Sequence, residues 1–313
     1  MFSKRITQLS IALVVCIAIV FSACKSEQKL ALKFAPEVAK KYEMTMNTTQ
    51  DIEMEQMGQK MNMKNTVAMT YEMLVKEKDA NNNTIILSTF KKIKFISSSA
   101  MGEMGYDSEK ETDTSDMFSA MFAKIFGGLV NQQITIVVSE TGEVTEVKGM
   151  ADIFEKMIKS TGLDTMEGAA QSLASFKSQF SDEQFKKNFD ESFNILPKTE
   201  IGVGEVWEIN NNKNVMNMDV NTKTKYTLKG MEPEVALVDV TSDFTVDKKA
   251  EENQGMEMTM KGTQSGTMKI DRKIGMATEG NITQDITATT KSMGMEIPMT
   301  IKGTITFSSK EIK

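Results

Sequence analysis

Residues 293–307 read MGMEIPMTIKGTITF. Met293, Met295, Ile297, Met299, Ile301, Ile305 and Phe307 fall on one parity, and Thr300, Lys302, Thr304 and Thr306 fall on the other. Only Gly303 interrupts the apolar side. Strict period two over such a length is the signature of a half-buried β-strand. Some 15 residues at ~3.3 Å each span ~50 Å, whereas ordinary strands run to ~5–6 residues. Strands that long twist and cannot stay flat. The fold expected is therefore mainly β (α+β), with long curved antiparallel sheets, half-barrel-like, and the apolar face inside.

The same alternation recurs on either side of a helical centre. Tyr42, Met44 and Met46 share a parity that Ile52 and Met54 continue, and Met61, Met63, Val67, Met69, Tyr71, Met73 and Val75 follow after Met57-Gly58-Gln59. That pair reads as a long hairpin, with Asn81-Asn82-Asn83 as the next turn and a third strand over 85–96. Later, Tyr226 and Leu228 precede a turn near Glu232-Pro233, and 235–246, Met256/Met258/Met260 and Met268/Ile270 alternate again. Between these regions the period becomes 3.6. Phe118, Met121, Phe122, Ile125, Phe126 and Leu129 mark one helix face, Ile153, Phe154, Met157 and Ile158 a second, and Leu173, Phe176 and Phe180 a third. Ser181 with Gln184 three residues on forms a capping-box pattern ahead of Phe185, Phe189 and Phe193. The organisation expected is a β lobe at 36–148 with a helical insertion at about 115–129, a helical segment at 149–196, and a second β lobe at 197–313.

Composition narrows the chemistry. The chain has 313 residues and a net charge of −6, which disfavours a nucleic-acid surface. It has no histidine, so the commonest general base and the commonest metal ligand are both missing. Ser-His-Asp and Cys-His arrangements are excluded, and neither a nucleophile elbow nor a phosphate-binding loop occurs. A non-catalytic protein without a cofactor is expected. The acidic run from Asp107 to Asp116 lacks calcium-loop spacing and carries Lys110 in its middle, so it reads as a solvated loop.

The first 24 residues carry an export pattern: Lys4 and Arg5, then an apolar run over 9–21 broken only by Ser10. That run is too short for a permanent span but suits a signal-peptide core. It ends in Phe21-Ser22-Ala23-Cys24, which resembles the lipobox of bacterial lipoproteins, with Phe21 where that family usually has an aliphatic residue. The resemblance implies cleavage after residue 23, acylation (palmitate among the chains) of Cys24, and a membrane-held protein; the stretch that follows is polar and unpatterned and reads as a tether over 24–35. Cys24 is the one cysteine outside the apolar core of the signal, so no disulfide is expected. Lys25 stands where an Asp would resemble an inner-membrane retention signal, which points to the outer membrane, on its periplasmic face or at the surface.

The 27 methionines include Met-x-Met at 44/46, 61/63, 216/218, 256/258/260 and 293/295. In a strand such pairs face one side, so they serve equally as core filling, as an adaptable lining for a greasy ligand, or as soft ligands for Cu(I) or Ag(I); no metal-ligand set is singled out. The apolar-groove lining expected is Phe118, Met121, Phe122 and Phe126. With Gly105-Tyr106-Asp107-Ser108 after the first sheet, the Met-rich hairpins and the lipobox, the chain resembles an uncharacterised group of two-lobed bacterial lipoproteins, which implies no activity. Two functions stay open: an envelope lipoprotein holding a lipid, acyl chain or apolar peptide, and a structural or assembly lipoprotein without a small ligand.

Overall fold

The structure is a computed structural model that describes residues 29–56, 58–100, 102–111, 117–161, 177, 179–215, 218–248, 256–292 and 295–313. In chain order the strands begin with β1 (Lys41–Gln56), β2 (Gln59–Lys78), β3 (Thr84–Ser99) and β4 (Gly102–Asp107). Helix α1 (Met117–Gly127), strands β5 (Gln133–Val138) and β6 (Val144–Lys148), and helices α2 (Met150–Thr161) and α3 (Asp182–Phe193) follow. The chain ends in β7 (Val206–Val215), β8 (Met218–Met231), β9 (Val235–Lys248), β10 (Met256–Asp271), β11 (Ala277–Ser292) and β12 (Met295–Ile312).

The twelve strands make one antiparallel sheet, 63% of the chain being strand, and the sheet stays open. Its order is β6-β5-β3-β2-β1-β12-β11-β10-β9-β8-β7, with β4 beside the far half of β3. The pairing of β1 with β12, Lys41 opposite Ile312 through Met54 opposite Met299, puts strands from both expected lobes into this one sheet. The alternating parity fixes this register, because a slip of one residue would turn every apolar side chain outward.

Both edge strands of the path, β6 and β7, pack on α3, so the sheet is curled around its helix-covered face. Asp190 on α3 accepts a hydrogen bond from the Val144 N–H at 2.8 Å. The indole Nε1 of Trp207 donates to the Ile195 carbonyl at 3.0 Å, just after the helix. The curled inner face leaves little room over some strands. A Cβ on Gly280 would lie 2.1 Å from the Phe307 ring and one on Gly262 would lie 2.3 Å from the Phe244 ring. Glycine at these two strand positions lets a ring from a neighbouring strand lie flat across the backbone.

At one end of the strands, here proximal, lie the turns at 79–83, 139–143 and 271–276. The inner face is filled there. Ile153, Phe154 and Met157 of α2 and Phe189 and Phe193 of α3 join Phe90, Ile93, Ile136 and Leu228 of the sheet in one core. The N-cap appears as expected, with the Ser181 hydroxyl accepting from the Gln184 N–H at 3.2 Å, while the Gln184 side-chain amide donates to Asn188 Oδ1 at 3.3 Å. Asp182 next to it receives the Met150 and Ala151 N–H groups at 2.7 and 3.2 Å, so α3 caps α2. Of the third expected helix, Leu173 and Phe176 lie outside the described residues, while Phe180 stacks on Phe154 at 5.1 Å.

One expectation is corrected. Residues 30–35, read as part of a polar tether, belong to the core: Leu30, Leu32 and Phe34 are buried, and Phe34 meets Phe193 edge-on at 5.4 Å. Their backbone bonds run to three separate places. Leu30 exchanges hydrogen bonds with Ile201, Phe34 N–H donates to the Glu140 carbonyl, and Ala35 N–H donates to the Ile274 carbonyl. The segment is an extended strap across the proximal end, and its three apolar residues alternate as in any strand.

Candidate functional site

The sheet register aligns one polar position from each of several neighbouring strands on the inner face. Asn65 of β2 lies opposite Gln50 of β1, Gln50 opposite Gly303 of β12, and Gly303 opposite Gln284 of β11. The row continues through Gln264 of β10, Ser242 of β9 and Thr224 of β8. Gln264 Nε2 donates to Gln284 Oε1 at 3.4 Å, and the Thr224 and Ser242 hydroxyls are 2.9 Å apart. Gln284 Nε2 and Asn65 Oδ1 are buried and have no hydrogen-bond partner.

This polar belt separates two apolar regions. On the proximal side is the main core. On the distal side Val220, Phe244, Val246 and Ile286 form a second cluster with Met260 and Ile301 against it. Around that cluster, on the same face, are Ile52, Met54, Met61 and Met63 of the β1–β2 hairpin, together with Met258, Ala288, Ile297, Met299 and Met295. Methionine is the most frequent residue here. The helices pack chiefly on β4, β6 and β7 and on one another, away from this centre. Exposure rises toward the strand ends, with Met61 at 37% and Met295 at 41%, both large for apolar side chains. The distal stretch of the curled inner face, here the trough, is thus apolar, with a buried centre, a polar row at one end and methionines toward the strand ends.

Of the expected groove residues, Met121 and Phe126 pack against the main core, on the proximal side of the belt. Met121, Phe122 and Phe126 are half-buried on α1, which packs on β4. Phe122 and Phe126 lie 5.2 and 5.9 Å from Phe95 and 5.9 Å from each other, so their rings are engaged mainly with one another and with the sheet. The Phe118 side chain and Cys24 lie outside the described residues. The trough and belt were not foreseen. The available signal was the break in β1 alternation at Thr48 and Gln50, which matches the interruption at Gly303.

The outer face is of another character. Its best-formed depressions are polar: one of ≈ 360 Å³ is bordered by Glu43, Thr45, Lys92 and Asp107, and one of ≈ 420 Å³ by Thr49, Thr283, Lys302 and Thr304. In the acidic run, Asp107 pairs with Lys94 at 3.4 Å and Glu109 pairs with Lys92 at 2.5 Å. Among the described residues no group of three or more His, Cys, Asp or Glu side chains could hold a metal ion. No helix among them is long and apolar enough to cross a membrane. Strongly displaced titrations belong to the core. Burial pushes the Tyr71 and Tyr226 phenols well above their usual range, so both are neutral.

The sequence pattern of DUF6263, a family of unknown function, matches residues 81–277, well over half of the chain. The protein is a DUF6263 member. That match runs from the turn before β3 to the start of β11, so the family pattern covers the helices and most of the sheet but not the β1–β2 hairpin or β12. Comparison with curated proteins gives no match for this DUF6263 chain. Among solved structures it is similar to one concerned with lipid–protein interactions in lipovitellin, at 8% identity and a TM-score of 0.46. That likeness covers 88% of this chain but spans a quarter (25%) of the lipovitellin chain. It is also similar to Pseudomonas aeruginosa OccK5 (OpdH), at 6% identity and a TM-score of 0.23, over 89% of this chain and all (100%) of that one. The translocator domain of the autotransporter NalP from Neisseria meningitidis follows at 7% identity and a TM-score of 0.19, over 87% and 90% of the two chains.

Proposed function

We propose that this DUF6263 protein is a non-catalytic, lipid-anchored envelope protein that holds an acyl chain or similar apolar ligand in the distal trough. The observation that carries the reading is the methionine-rimmed half of the inner face, away from which the described helices pack while they fill the other half. Flexible, polarizable thioethers adapt to apolar shapes of varying outline, and a large contiguous apolar surface on an otherwise polar exterior marks a binding site. The anchor is Cys24. Leu30, where the buried strap begins, is six residues along from it, so it holds the proximal end within about 20 Å of the bilayer. Strand β12 then carries the trough, from Ile301 to Met295, about 35–55 Å along the strand direction from that end. A ligand site displaced from the anchoring leaflet suits a protein that receives or presents an apolar molecule within the envelope.

The test uses protein isolated from its native host, with organic extraction for bound lipid and titration with a fluorescent fatty acid. Ile297→Asp and Ile301→Asp, which place a carboxylate on the trough floor, should weaken binding at least tenfold while the circular dichroism spectrum is kept. Phe122→Asp on α1, whose ring packs on Phe95 on the proximal side of the belt, should weaken it less. Absence of both co-purified lipid and saturable binding would leave the structural or assembly reading in its place. Mass spectrometry of the N-terminal peptide checks the anchor, since an unmodified Cys24 or an intact Ala23-Cys24 bond would remove it.

A further inference from the structure

The Met-x-Met pairs are ambiguous along one strand, but the register across strands is more specific. Met61 of β2 lies directly opposite Met54 of β1, and Met54 lies directly opposite Met299 of β12. Direct antiparallel partners share a face, with Cβ atoms about 4.5–5.5 Å apart. Three thioethers therefore stand side by side on three adjacent strands. Each has three rotatable bonds with which to bring its sulfur to a common point.

We infer that Met54, Met61 and Met299 form a three-thioether site for a soft monovalent cation, Cu(I) in particular. Thioether sulfur favours Cu(I), while Mg²⁺ and Ca²⁺ require carboxylate or carbonyl oxygen. Of the nearest positions on the same face, Ile52, Met63, Ile297, Ile301 and Ala288 supply no side-chain oxygen and Gln59 supplies a neutral amide, so among the described residues no carboxylate faces the three sulfurs. Burying a cation is costly, and here the rim position lowers that cost because Met61 is 37% exposed to water. The ion enters and leaves without opening the core. No electron transfer is involved: the cation binds as Cu(I) and is released as Cu(I). The inference is independent of the apolar-ligand reading, because it depends on sulfur and not on greasiness.

The experiment takes the full chain with Cys16→Ser and Cys24→Ser, so that no thiol competes, purified in detergent. It is titrated anaerobically with Cu(I) against a chromophoric Cu(I) chelator, and with Ag(I) as a redox-inert probe. Met54→Leu, Met61→Leu and Met299→Leu keep apolar volume while removing sulfur. Each should weaken binding tenfold or more and the triple variant should abolish it, whereas Met44→Leu and Met46→Leu on the proximal side should leave it unchanged. X-ray absorption of the Cu(I) complex should show a first shell of sulfur only. Absence of saturable binding, a shell of nitrogen or oxygen, or full affinity in the triple Leu variant would overturn the site. Fatty-acid binding by the same triple variant should persist, which separates failure of this inference from failure of the carrier reading.

Discussion

Replacing Phe34 by Ala tests whether the N-terminal strap is structural. Phe34 is 1% exposed, packs edge-on against Phe193, and belongs to the core that joins the sheet to α2 and α3. Truncating a fully buried Phe removes its transfer free energy and leaves a cavity, a loss of about 3–5 kcal/mol. The cavity has little means of collapse, because the strap backbone is pinned on both sides, Phe34 N–H to the Glu140 carbonyl at 2.7 Å and Ala35 N–H to the Ile274 carbonyl at 2.9 Å. The upper half of that range is therefore expected. With a urea slope of about 3 kcal/mol/M, the midpoint should fall by more than 1 M. The neighbouring Lys33→Ala is the control. Its ammonium is exposed and pairs with Glu140 at 3.3 Å, the kind of surface pair that contributes at most about 1 kcal/mol. The assay is equilibrium urea unfolding of the chain lacking residues 1–28, followed by Trp207 fluorescence and by circular dichroism. If Phe34→Ala and Lys33→Ala shift the midpoint equally, the strap is a tether after all and the correction to the sequence reading fails.

Two further outcomes are expected. Trp207→Phe keeps the ring stacked on Tyr226 (5.3 Å, 17° in this structure) but leaves the Ile195 carbonyl without its donor, so stability should fall by about 1–3 kcal/mol, read by circular dichroism because the sole tryptophan is gone. Tyr71 and Tyr226 are held neutral by burial, with folded pKa values above those of the unfolded chain. The unfolded state therefore loses protons first as pH rises past about 10, and the stability present below that pH should decline above it. Urea midpoints between pH 8 and 11, with phenolate absorbance at each pH, check this; a flat profile would contradict the burial of both phenols.

Much of the fold was legible because its strands are long. Alternation over 293–307 and 61–75 is unambiguous, and the Ser181/Gln184 cap with Phe185, Phe189 and Phe193 behind it gave α3 directly. The strap escaped notice because Leu30, Leu32 and Phe34 give only three alternating positions among alanines and lysines, too few to distinguish from a polar linker. The β1–β12 pairing was also out of reach, since local pattern holds no information about partners some 250 residues apart. The same gap concealed the belt. Gln50, Asn65, Gln264 and Gln284 are each a single lapse in a strand, and Gly303 was read only as an interruption. The lapses become one feature when the register sets them side by side. For the same reason the Met-x-Met pairs could not choose between core filling, greasy lining and soft ligand, because Met54, Met61 and Met299 are brought together across strands and not along them.

The residue chosen for the distal trough is itself informative. Strands favour β-branched and aromatic side chains, which suit a pleated half-buried surface. The outer face obeys this preference with threonines such as Thr45, Thr49, Thr283 and Thr304, and the proximal inner face obeys it with Ile86, Ile93, Ile134, Ile136 and Val138. On the distal inner face Met54, Met61, Met258, Met260, Met295 and Met299 depart from it, as Met44, Met69, Met73 and Met268 also do among the β-branched residues of the proximal core. The proximal methionines fill core, whereas Met61 and Met295 stay more than a third exposed, so the distal ones are where a functional reason can be tested. If adaptability to an apolar ligand is the reason, exchange of these methionines for leucine should stiffen the trough and narrow its choice of chain length while keeping affinity for the best fit. If sulfur is the reason, the same exchange should leave fatty-acid binding in place and abolish Cu(I) binding. One set of variants, measured with two ligands, therefore assigns the departure to shape, to chemistry, or to both.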